Sequence, residues 1–301
     1  MRVVELSGGV GGARMARGLA ASPGVDLTVV VNVGDDETIH GLHVSPDIDT
    51  VMYTLAGVEG PEGWGRSGDS FDANTELGRF GADNRFRLGD LDLALNLHRT
   101  SRLAAGEPLS VVTGALAKAF EVGPAVLPAT DDVLRTEVRL SDGWTPFQEY
   151  FVIRGSRDRV LEIRFRGSES ATPAPGVLEA IQSSDLVVIA PSNPPLSIWP
   201  ILAIPPIRQA VESHHRVVAV SPLFGGRALK GPADRVMASL GLPPGNRGVV
   251  ESYRGLIETI VIDRGDSDDA GLLEEVEVMV TDTRIGDVVA ARRLASEMIA
   301  R

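Results

Sequence analysis

The 301-residue chain contains no cysteine, and this absence excludes several kinds of chemistry. Without thiols there is no disulfide bond, no thiolate nucleophile and no cysteine-ligated zinc. Basic residues are also scarce, with 29 Lys and Arg against 41 Asp and Glu, which gives a formal net charge of -12. Such a chain has no general attraction for nucleic acid, because the phosphate backbone is bound by cationic surfaces. A single phosphorylated ligand held by local N–H groups stays compatible with this charge.

Long apolar runs are missing as well. Hydrophobic residues make up 43% of the chain and charged residues 23%, which is typical of a globular protein. No apolar run reaches the length of about 20 residues that spans a bilayer, and the first residues show no basic segment followed by an apolar core. We therefore expect no membrane partner and a cytoplasmic location. For the assembly, a homodimer is kept as one option.

The clearest local signal is a glycine cluster that directly follows the first apolar run and precedes a helical pattern. Its members are Gly8, Gly9, Gly11 and Gly12. Glycines let the backbone approach a phosphate closely, and the first N–H groups of a helix point at its negative charge. No Gly-Lys-Ser/Thr follows, and Arg14 stands where the third glycine of G-x-G-x-x-G belongs. The cluster predicts a nonstandard phosphate loop, and the alternative is a tight turn between a strand and its helix.

Strand and helix signals alternate along most of the chain. Apolar runs typical of buried strands occur at 27–31, 185–190, 216–220, 258–262 and 276–280. Helices are predicted at 207–215, 233–240 and 285–298. This alternation predicts a doubly wound, mostly parallel α/β sheet of the Rossmann-like type.

The middle of the chain has a different pattern. Residues 64–123 look helical and polar. Antiparallel strands are predicted at 136–140, 148–154 and 160–165. We therefore predict an inserted helical and antiparallel-strand region over residues 60–170, which covers the ligand edge of the sheet as a lid or acceptor side. Residues 1–59 and 171–301 would then form the nucleotide-binding core.

Four aspartates follow the second predicted strand within fifteen positions. They are Asp35, Asp36, Asp47 and Asp49. Ligands of open α/β sheets bind beyond the carboxyl ends of the strands, and Mg²⁺ takes one or two carboxylates together with phosphate oxygens. The cluster therefore predicts a Mg²⁺ site, and the alternative for each Asp is a turn or a cap of the helix that begins near Thr50.

Two more polar loops follow predicted strands. Ser192 and Asn193 lie between prolines directly after the strand at 185–190, and Lys230 lies in a glycine-rich loop after the strand at 216–220. Each loop alone would be an ordinary turn. Together with the glycine cluster and the carboxylates, they favour one shared site in which hydroxyl, amide and ammonium groups face an anionic ligand.

A series of ordered motifs runs along nearly the whole chain. The motifs are the glycine cluster, Asn32 to Asp36, His40-Gly41, Ser45 to Thr50, Tyr53 to Leu55, Gly63 to Gly65, Phe147 to Glu149, Ala190 to Pro194 and Lys230-Gly231. In this order they resemble the 2-phospho-L-lactate transferase family, the CofD and FbiA enzymes of coenzyme F-420 biosynthesis.

The resemblance implies an enzyme that moves a phospholactyl or phosphoenolpyruvyl group from a guanosine diphosphate-linked donor to a hydroxyl of the deazaflavin Fo and releases GMP. By this resemblance, the glycine cluster, Ser192, Asn193 and Lys230 would hold the nucleotide. Asp35 and Asp49 would hold the Mg²⁺ and the acceptor hydroxyl. Either carboxylate would act catalytically by accepting the hydroxyl proton or by orienting the hydroxyl.

One segment departs from the family pattern, which commonly reads Leu-Gly-Asp-Arg-Asp-x-Ala-Thr-His. Here Leu91 stands in place of the Arg, Leu95 in place of the Thr and Asn96 in place of the His. The change to Leu91 removes a permanent cation and up to five hydrogen-bond donors. Leu91 and Asn96 are therefore expected to alter the acceptor side, so that Fo is held by other groups or another acceptor is used. A nucleotide-binding regulator without catalysis is the alternative function, while an NAD-type oxidoreductase is disfavoured by the missing G-x-G-x-x-G.

Overall fold

A seven-stranded parallel sheet forms the centre of the protein, seen here in a computed structural model that describes residues 1–300. The strands along the chain are β1 (Arg2–Ser7), β2 (Asp26–Val31), β3 (Glu37–Ile39), β4 (Leu42–Val44), β5 (Ala125–Pro128), β6 (Arg135–Leu140), β7 (Gly143–Pro146), β8 (Glu162–Arg166), β9 (Leu186–Ile189), β10 (Val217–Val220), β11 (Leu223–Phe224), β12 (Arg227–Ala228), β13 (Thr259–Asp263) and β14 (Glu277–Thr281). The order across the central sheet is β14-β13-β10-β9-β1-β2-β5, and its neighbours pair in parallel. The predicted α/β fold is confirmed.

Helices connect the strands of this sheet. They are α1 (Gly9–Ala20), α2 (Pro46–Ala56), α3 (Asp72–Arg79), α4 (Asp90–Ala104), α5 (Leu109–Ala119), α6 (Val177–Ser183), α7 (Trp199–Leu202), α8 (Pro205–Glu212), α9 (Ala233–Ser239), α10 (Asn246–Ser252) and α11 (Val288–Ile299). Helix α1 connects β1 to its neighbour β2 on one side. Helix α8 lies in the connection from β9 to β10, which runs across the sheet in the opposite direction. Right-handed crossovers in opposite directions place α1 and α8 on opposite faces.

The core lies on both faces of the sheet, which explains the apolar runs in the sequence. Every residue of β9 and β10 is buried, because helices cover the two faces of these central strands. α1 packs against α2 and α11, and α6 packs against α8. Of the helices found in residues 1–300, none combines the length and the apolar character that crossing a bilayer requires.

A small antiparallel sheet of order β7-β6-β8 lies beside the central sheet. Of the three antiparallel strands predicted from the sequence, the one at 148–154 is wrong. Residues 148–154 do not form a strand, because Glu149–Ile153 is a π-helical turn in which Phe151 stacks on Phe147 with ring centroids 5.1 Å apart. The strand next to β6 is β7. It pairs immediately after a tight turn, so that Gly143 lies opposite Leu140.

The predicted inserted region contributes to the core as well as lying beside it. Strand β5 falls inside residues 60–170 and forms an edge of the central sheet, and Val112 of α5 belongs to the main hydrophobic core. Part of residues 60–170 therefore completes the central sheet, and the division of the chain into a core and an inserted region stays a prediction. The role of the remainder as a lid or acceptor side stays a prediction.

Two helix-interior glycines give a matched test of the packing. A Cβ at Gly18 of α1 would lie 2.5 Å from the backbone of Ala291 in α11, whereas a Cβ at Gly114 of α5 would meet no atom within 4 Å. We expect Gly18→Ala to lower the free energy of unfolding by about 1–3 kcal/mol through overpacking. Gly114→Ala should raise it by about 1 kcal/mol, because alanine favours the helix.

Denaturant unfolding of both variants measures the two effects. Equal stabilisation by the two alanines would contradict the close packing of α1 against α11.

Candidate active site

The loops that follow β1, β2 and β9 meet at the carboxyl edge of the sheet. The Ser192 hydroxyl donates to the Gly8 carbonyl at 2.7 Å, which joins the loop after β9 to the glycine cluster. One oxygen of Asp47 accepts from the Gly9 amide at 2.8 Å, and the other accepts from the Asn32 side-chain amide at 2.9 Å. The structure thus brings together three of the regions that the sequence analysis assigned to one site.

The four glycines of the cluster have different surroundings. A Cβ at Gly11 would overlap the Pro191 carbonyl, one at Gly12 would overlap the Ser7 hydroxyl, and one at Gly8 would lie 2.7 Å from a carboxylate oxygen of Asp47. These three positions therefore need glycine for packing between loops. Gly9 has a φ of +65° and no atom within 4 Å of its Cβ position, so its outer side is open.

Helix α1 begins at Gly9 and has no acidic residue in its first turn. The N-terminus of a helix carries a partial positive charge and amide N–H groups that bind anions. The open side of Gly9 lies at this end of α1. A phosphate loop requires such an open helix N-terminus, and its presence here stays a prediction.

Three buried carboxylates lie next to the glycine cluster. Burial and the negative charges of Asp47 and Asp36 raise the pKa of Asp35 well above its usual value. Burial also raises the pKa of Asp47 to about 6, although hydrogen bonds from Asn32 and Gly9 oppose the shift. One side-chain oxygen of Asp35 and one of Asp36 are buried without a hydrogen-bond partner. The cluster therefore has an excess of negative charge and unpaired oxygens, which suit a hard cation.

Asp49 has a partner of its own, the fully buried Arg99 of α4. Both oxygens of Asp49 accept from the guanidinium, with Nη1 at 3.1 Å from Oδ2 and Nη2 bonded to Oδ1. Burial raises the pKa of Asp49 to about 6, and the charge of Arg99 pulls it back down. Asn96 accepts from the same Nη1 at 2.6 Å. Asp49, Asn96 and Arg99 thus form one buried polar group.

These surroundings separate the two predicted metal ligands. Asp35 presents an unpaired oxygen, while both oxygens of Asp49 are occupied by Arg99. Within residues 1–300, no three acidic or histidine side chains are arranged to hold a metal by themselves. Mg²⁺ commonly needs only one or two carboxylates when a bound phosphate completes its shell. The residues therefore fit a phosphate-bound cation held through Asp35, and the metal site stays a prediction.

The remaining predicted residues lie in different places. Leu95 belongs to the hydrophobic core, whereas Leu91 in the first turn of α4 is 40% exposed, so the two leucines do not form one apolar face. Asn193 has a buried side-chain oxygen without a partner. Lys230 is exposed, and its Nζ lies 3.5 Å from Glu62. No hydrogen bond joins Lys230 to the glycine cluster within residues 1–300.

Arg99 is the site residue that the sequence analysis missed. It lies four residues after Leu95 and three after Asn96, on the buried side of α4. A lone arginine on the apolar stripe of a helix is a signal for a buried ion pair, because arginine is almost never fully buried unless it is paired. Its partner was not apparent, since Asp49 is fifty residues away in the chain.

Comparison with known proteins identifies the family. A family model described as 2-phospho-L-lactate transferase CofD matches residues 3–299. The chain belongs to the CofD family. It is 45% identical over 286 residues to a phosphoenolpyruvate transferase of Streptomyces griseus, covering 92% of this chain and 89% of the relative. It is 40% identical over 302 residues to a 2-phospho-L-lactate transferase of Methanopyrus kandleri, covering 99% of this chain and 97% of the relative.

A solved structure supports the fold of this CofD-family chain. A protein of the UPF0052 family from Bacillus halodurans superposes with a TM-score of 0.64 over 99% of this chain and 98% of its own. At 18% sequence identity, this similarity shows the shared fold alone. The family match confirms the resemblance in the sequence, and the protein is a CofD-type transferase.

The excess of negative charge in the site leads to a stability prediction for Asp35→Asn. Because the folded state raises the pKa of Asp35, it binds the proton more tightly than the unfolded chain. This carboxyl therefore costs stability as pH rises above its unfolded pKa of about 4. The asparagine lacks this cost, so we expect Asp35→Asn to raise the Tm of the ligand-free protein at pH 7.5. The gain should shrink as the pH falls toward 4.

Asp90→Asn is the matched control, and thermal unfolding across this pH range measures both variants. Asp90 is a part-exposed carboxylate whose pKa is lowered by hydrogen bonds from Ser70 and from the Ala73 amide. It should therefore give no gain at pH 7.5. A lower Tm for Asp35→Asn at pH 7.5, with no such loss near pH 4, would show that the Asp35 charge has a stabilising partner.

Proposed function

We propose that this CofD-family transferase moves a phospholactyl or phosphoenolpyruvyl group from a guanosine diphosphate-linked donor to a hydroxyl of Fo, with release of GMP. The observation that carries the proposal is the open N-terminus of α1 beside a cluster of buried carboxylates with unpaired oxygens. Such a pair of surfaces binds a diphosphate and its cation together. The names of the relatives, phosphoenolpyruvate transferase and 2-phospho-L-lactate transferase, supply the two candidate acids.

The donor would be bound across the glycine cluster and the loop after β9. The open face of Gly9 allows a diphosphate to approach the backbone. Ser192 holds that backbone in place through its bond to Gly8, and Asn193 has an unpaired amide oxygen for a nucleotide donor group. Lys230 lies in the neighbouring loop and would reach the donor after leaving Glu62.

Asp35 would hold Mg²⁺ together with oxygens of the donor. The bound cation would neutralise the negative charge that develops on the phosphoryl oxygens. Asp47 keeps its two oxygens on Gly9 and Asn32, so its part is to fix the glycine cluster relative to β2.

The acceptor hydroxyl would be oriented by the buried Asp49–Arg99 pair. Arg99 supplies a permanent cation on the same helix as Leu91, so the loss of an arginine at position 91 does not leave this side without one. In the reaction, the hydroxyl oxygen forms a bond to the phosphorus that carries the acid. The phosphoanhydride bond to GMP breaks, and its electron pair leaves with GMP.

An assay with the purified protein tests this function. The protein is mixed with Fo and either the phospholactate-linked or the phosphoenolpyruvate-linked guanosine diphosphate, with Mg²⁺ or with EDTA. We expect GMP and the Fo conjugate in equal amounts, only with Mg²⁺. Tight GDP binding without turnover of either donor would favour a nucleotide-binding regulator, and GMP release with a hydroxyl compound other than Fo would favour a paralogous transferase.

Gly9→Ala tests the phosphate loop without disturbing the packing of the cluster. Both Gly9 and Gly24 have positive φ, +65° and +74°, and both have open space at the Cβ position. An alanine therefore carries a similar backbone strain at each position, about 1–2 kcal/mol. We expect Gly9→Ala to weaken GDP binding at least tenfold in calorimetric titration, because the methyl group would occupy the space in which the phosphate approaches the Gly9 backbone.

Gly24→Ala, in the loop after α1, is the control for backbone strain and should bind GDP like the wild type. Equal affinities for the two variants would assign the glycine cluster to a turn.

Leu91→Arg tests whether the acceptor side lacks the family arginine. Leu91 is part-exposed in the first turn of α4, so an arginine there needs no buried partner and the fold should be retained. If Fo contacts this turn, KM for Fo should fall severalfold while KM for the donor stays unchanged. An unchanged KM for Fo would show that Arg99 already supplies the cation that the acceptor needs.

A further inference from the structure

A histidine and a carboxylate form a pair at the rim of the site. The Nε2 atom of His43, on β4, lies 2.9 Å from Oδ2 of Asp36. Asp36 is almost fully buried, while the side chain of His43 is 24% exposed. The pair therefore joins the interior of the site to its accessible surface.

The surrounding contacts are directed at Asp36. Ser45 occupies the N-cap position of α2, where a serine hydroxyl usually accepts from a helix amide. Here no side-chain cap forms, and the Ser45 hydroxyl donates instead to Oδ2 of Asp36 at 2.8 Å. Asp36 is thus held by the Ser45 hydroxyl on the same oxygen that faces His43.

The pairing distinguishes the two ring nitrogens. We assign the Nε2–H of His43 as the donor to the Asp36 carboxylate, which leaves Nδ1 as the nitrogen with the free lone pair. Nδ1 has no hydrogen-bond partner among residues 1–300. An imidazole with one nitrogen held by a carboxylate and the other free has the geometry of a general base.

The backbone places His43 beside the proposed acceptor side. Its amide donates to the Thr100 hydroxyl at 2.8 Å, and its carbonyl accepts from Nη1 of Arg99 at 3.5 Å. Arg99 is the partner of Asp49. His43 is therefore attached to the same buried pair that would orient the hydroxyl.

The carboxylates of the site are less suited to accept the hydroxyl proton. Both oxygens of Asp49 accept hydrogen bonds from Arg99, so neither is free to receive the hydroxyl proton. Asp35 is the carboxylate that fits the cation, and a carboxylate bound to a cation is a weaker base. His43 has a free ring nitrogen and partial access to solvent, through which a proton can leave.

We propose that Nδ1 of His43 accepts the proton of the acceptor hydroxyl, with Asp36 as the positioning residue that holds the ring. This inference rests on the proposed function and names its proton acceptor. As the hydroxyl oxygen bonds to phosphorus, its proton passes to Nδ1 and GMP leaves with the electron pair of the broken P–O bond. Asp36 stabilises the positive charge on the ring, and the ring then releases the proton to water.

His43→Gln is the decisive variant. The glutamine amide can still donate to Asp36, so a purely structural role of His43 is preserved, but an amide does not accept a proton. In the assay with Fo, Mg²⁺ and the active donor, we expect kcat to fall by about 10²- to 10⁴-fold. The affinity for GDP and the Tm should stay close to those of the wild type.

His43→Ala and Asp36→Asn extend the test. Added imidazole should restore part of the kcat of His43→Ala in a concentration-dependent way, because it fills the space of the missing ring. Asp36→Asn should also lower kcat, and imidazole should not restore it, because the ring is still present. His98→Ala removes an exposed histidine of α4 and serves as the control with wild-type kcat.

A His43→Gln variant with wild-type kcat would overturn the proposal. The same holds if kcat falls only in parallel with GDP affinity and Tm, since His43 would then be structural. Failure of the proposed function gives a different result, in which the wild-type protein itself transfers neither donor group to Fo.

Discussion

Asp47 is the contact on which the geometry of the site depends. Its two oxygens bind the amide at the start of α1 and the side chain of Asn32 after β2, while its backbone belongs to the first turn of α2. Three segments from separate parts of the fold therefore meet at one buried carboxylate. A buried carboxylate with two such donors is directional, because each donor fixes one oxygen. The position of Gly9 relative to the other carboxylates follows from this contact.

The same region stores unfavourable electrostatic energy. Besides burial, the charge of Asp36 raises the pKa of both Asp35 and Asp47, and the charge of Asp47 also raises that of Asp35. The guanidinium of Arg99 is bound to Asp49. A folded protein tolerates such a cluster when the rest of the core supplies the stability, and here the central strands are fully buried. The charge excess is compatible with a site that gains its counter-charge only when ligands bind, which couples binding to stability.

The parts of the fold that follow from local sequence patterns could be predicted from the sequence. Buried parallel strands read as continuous apolar runs, and the glycine cluster marks a strand-to-helix turn, so both were predicted. The predicted strand at 148–154 was wrong because Phe147 and Phe151 stack in a π-helical turn, a tertiary contact that outweighs the β-propensity of the segment. The pairing of Asp49 with Arg99 was missed for a similar reason, since nothing local connects residues fifty positions apart.

Adjacent residues in the site acquire different chemistry from their surroundings. Asp35 and Asp36 are neighbours in the chain, yet their carboxylates meet different groups. Each side chain keeps one unpaired oxygen. The backbone carbonyl of Asp35 accepts from the Gln148 side-chain amide at 2.8 Å, whereas the second side-chain oxygen of Asp36 accepts from Ser45 and faces His43. In the proposed reaction, Asp35 would hold the cation and Asp36 would hold the ring of His43. Two identical side chains would thus have different roles at the same edge of the sheet, because the loops around them differ.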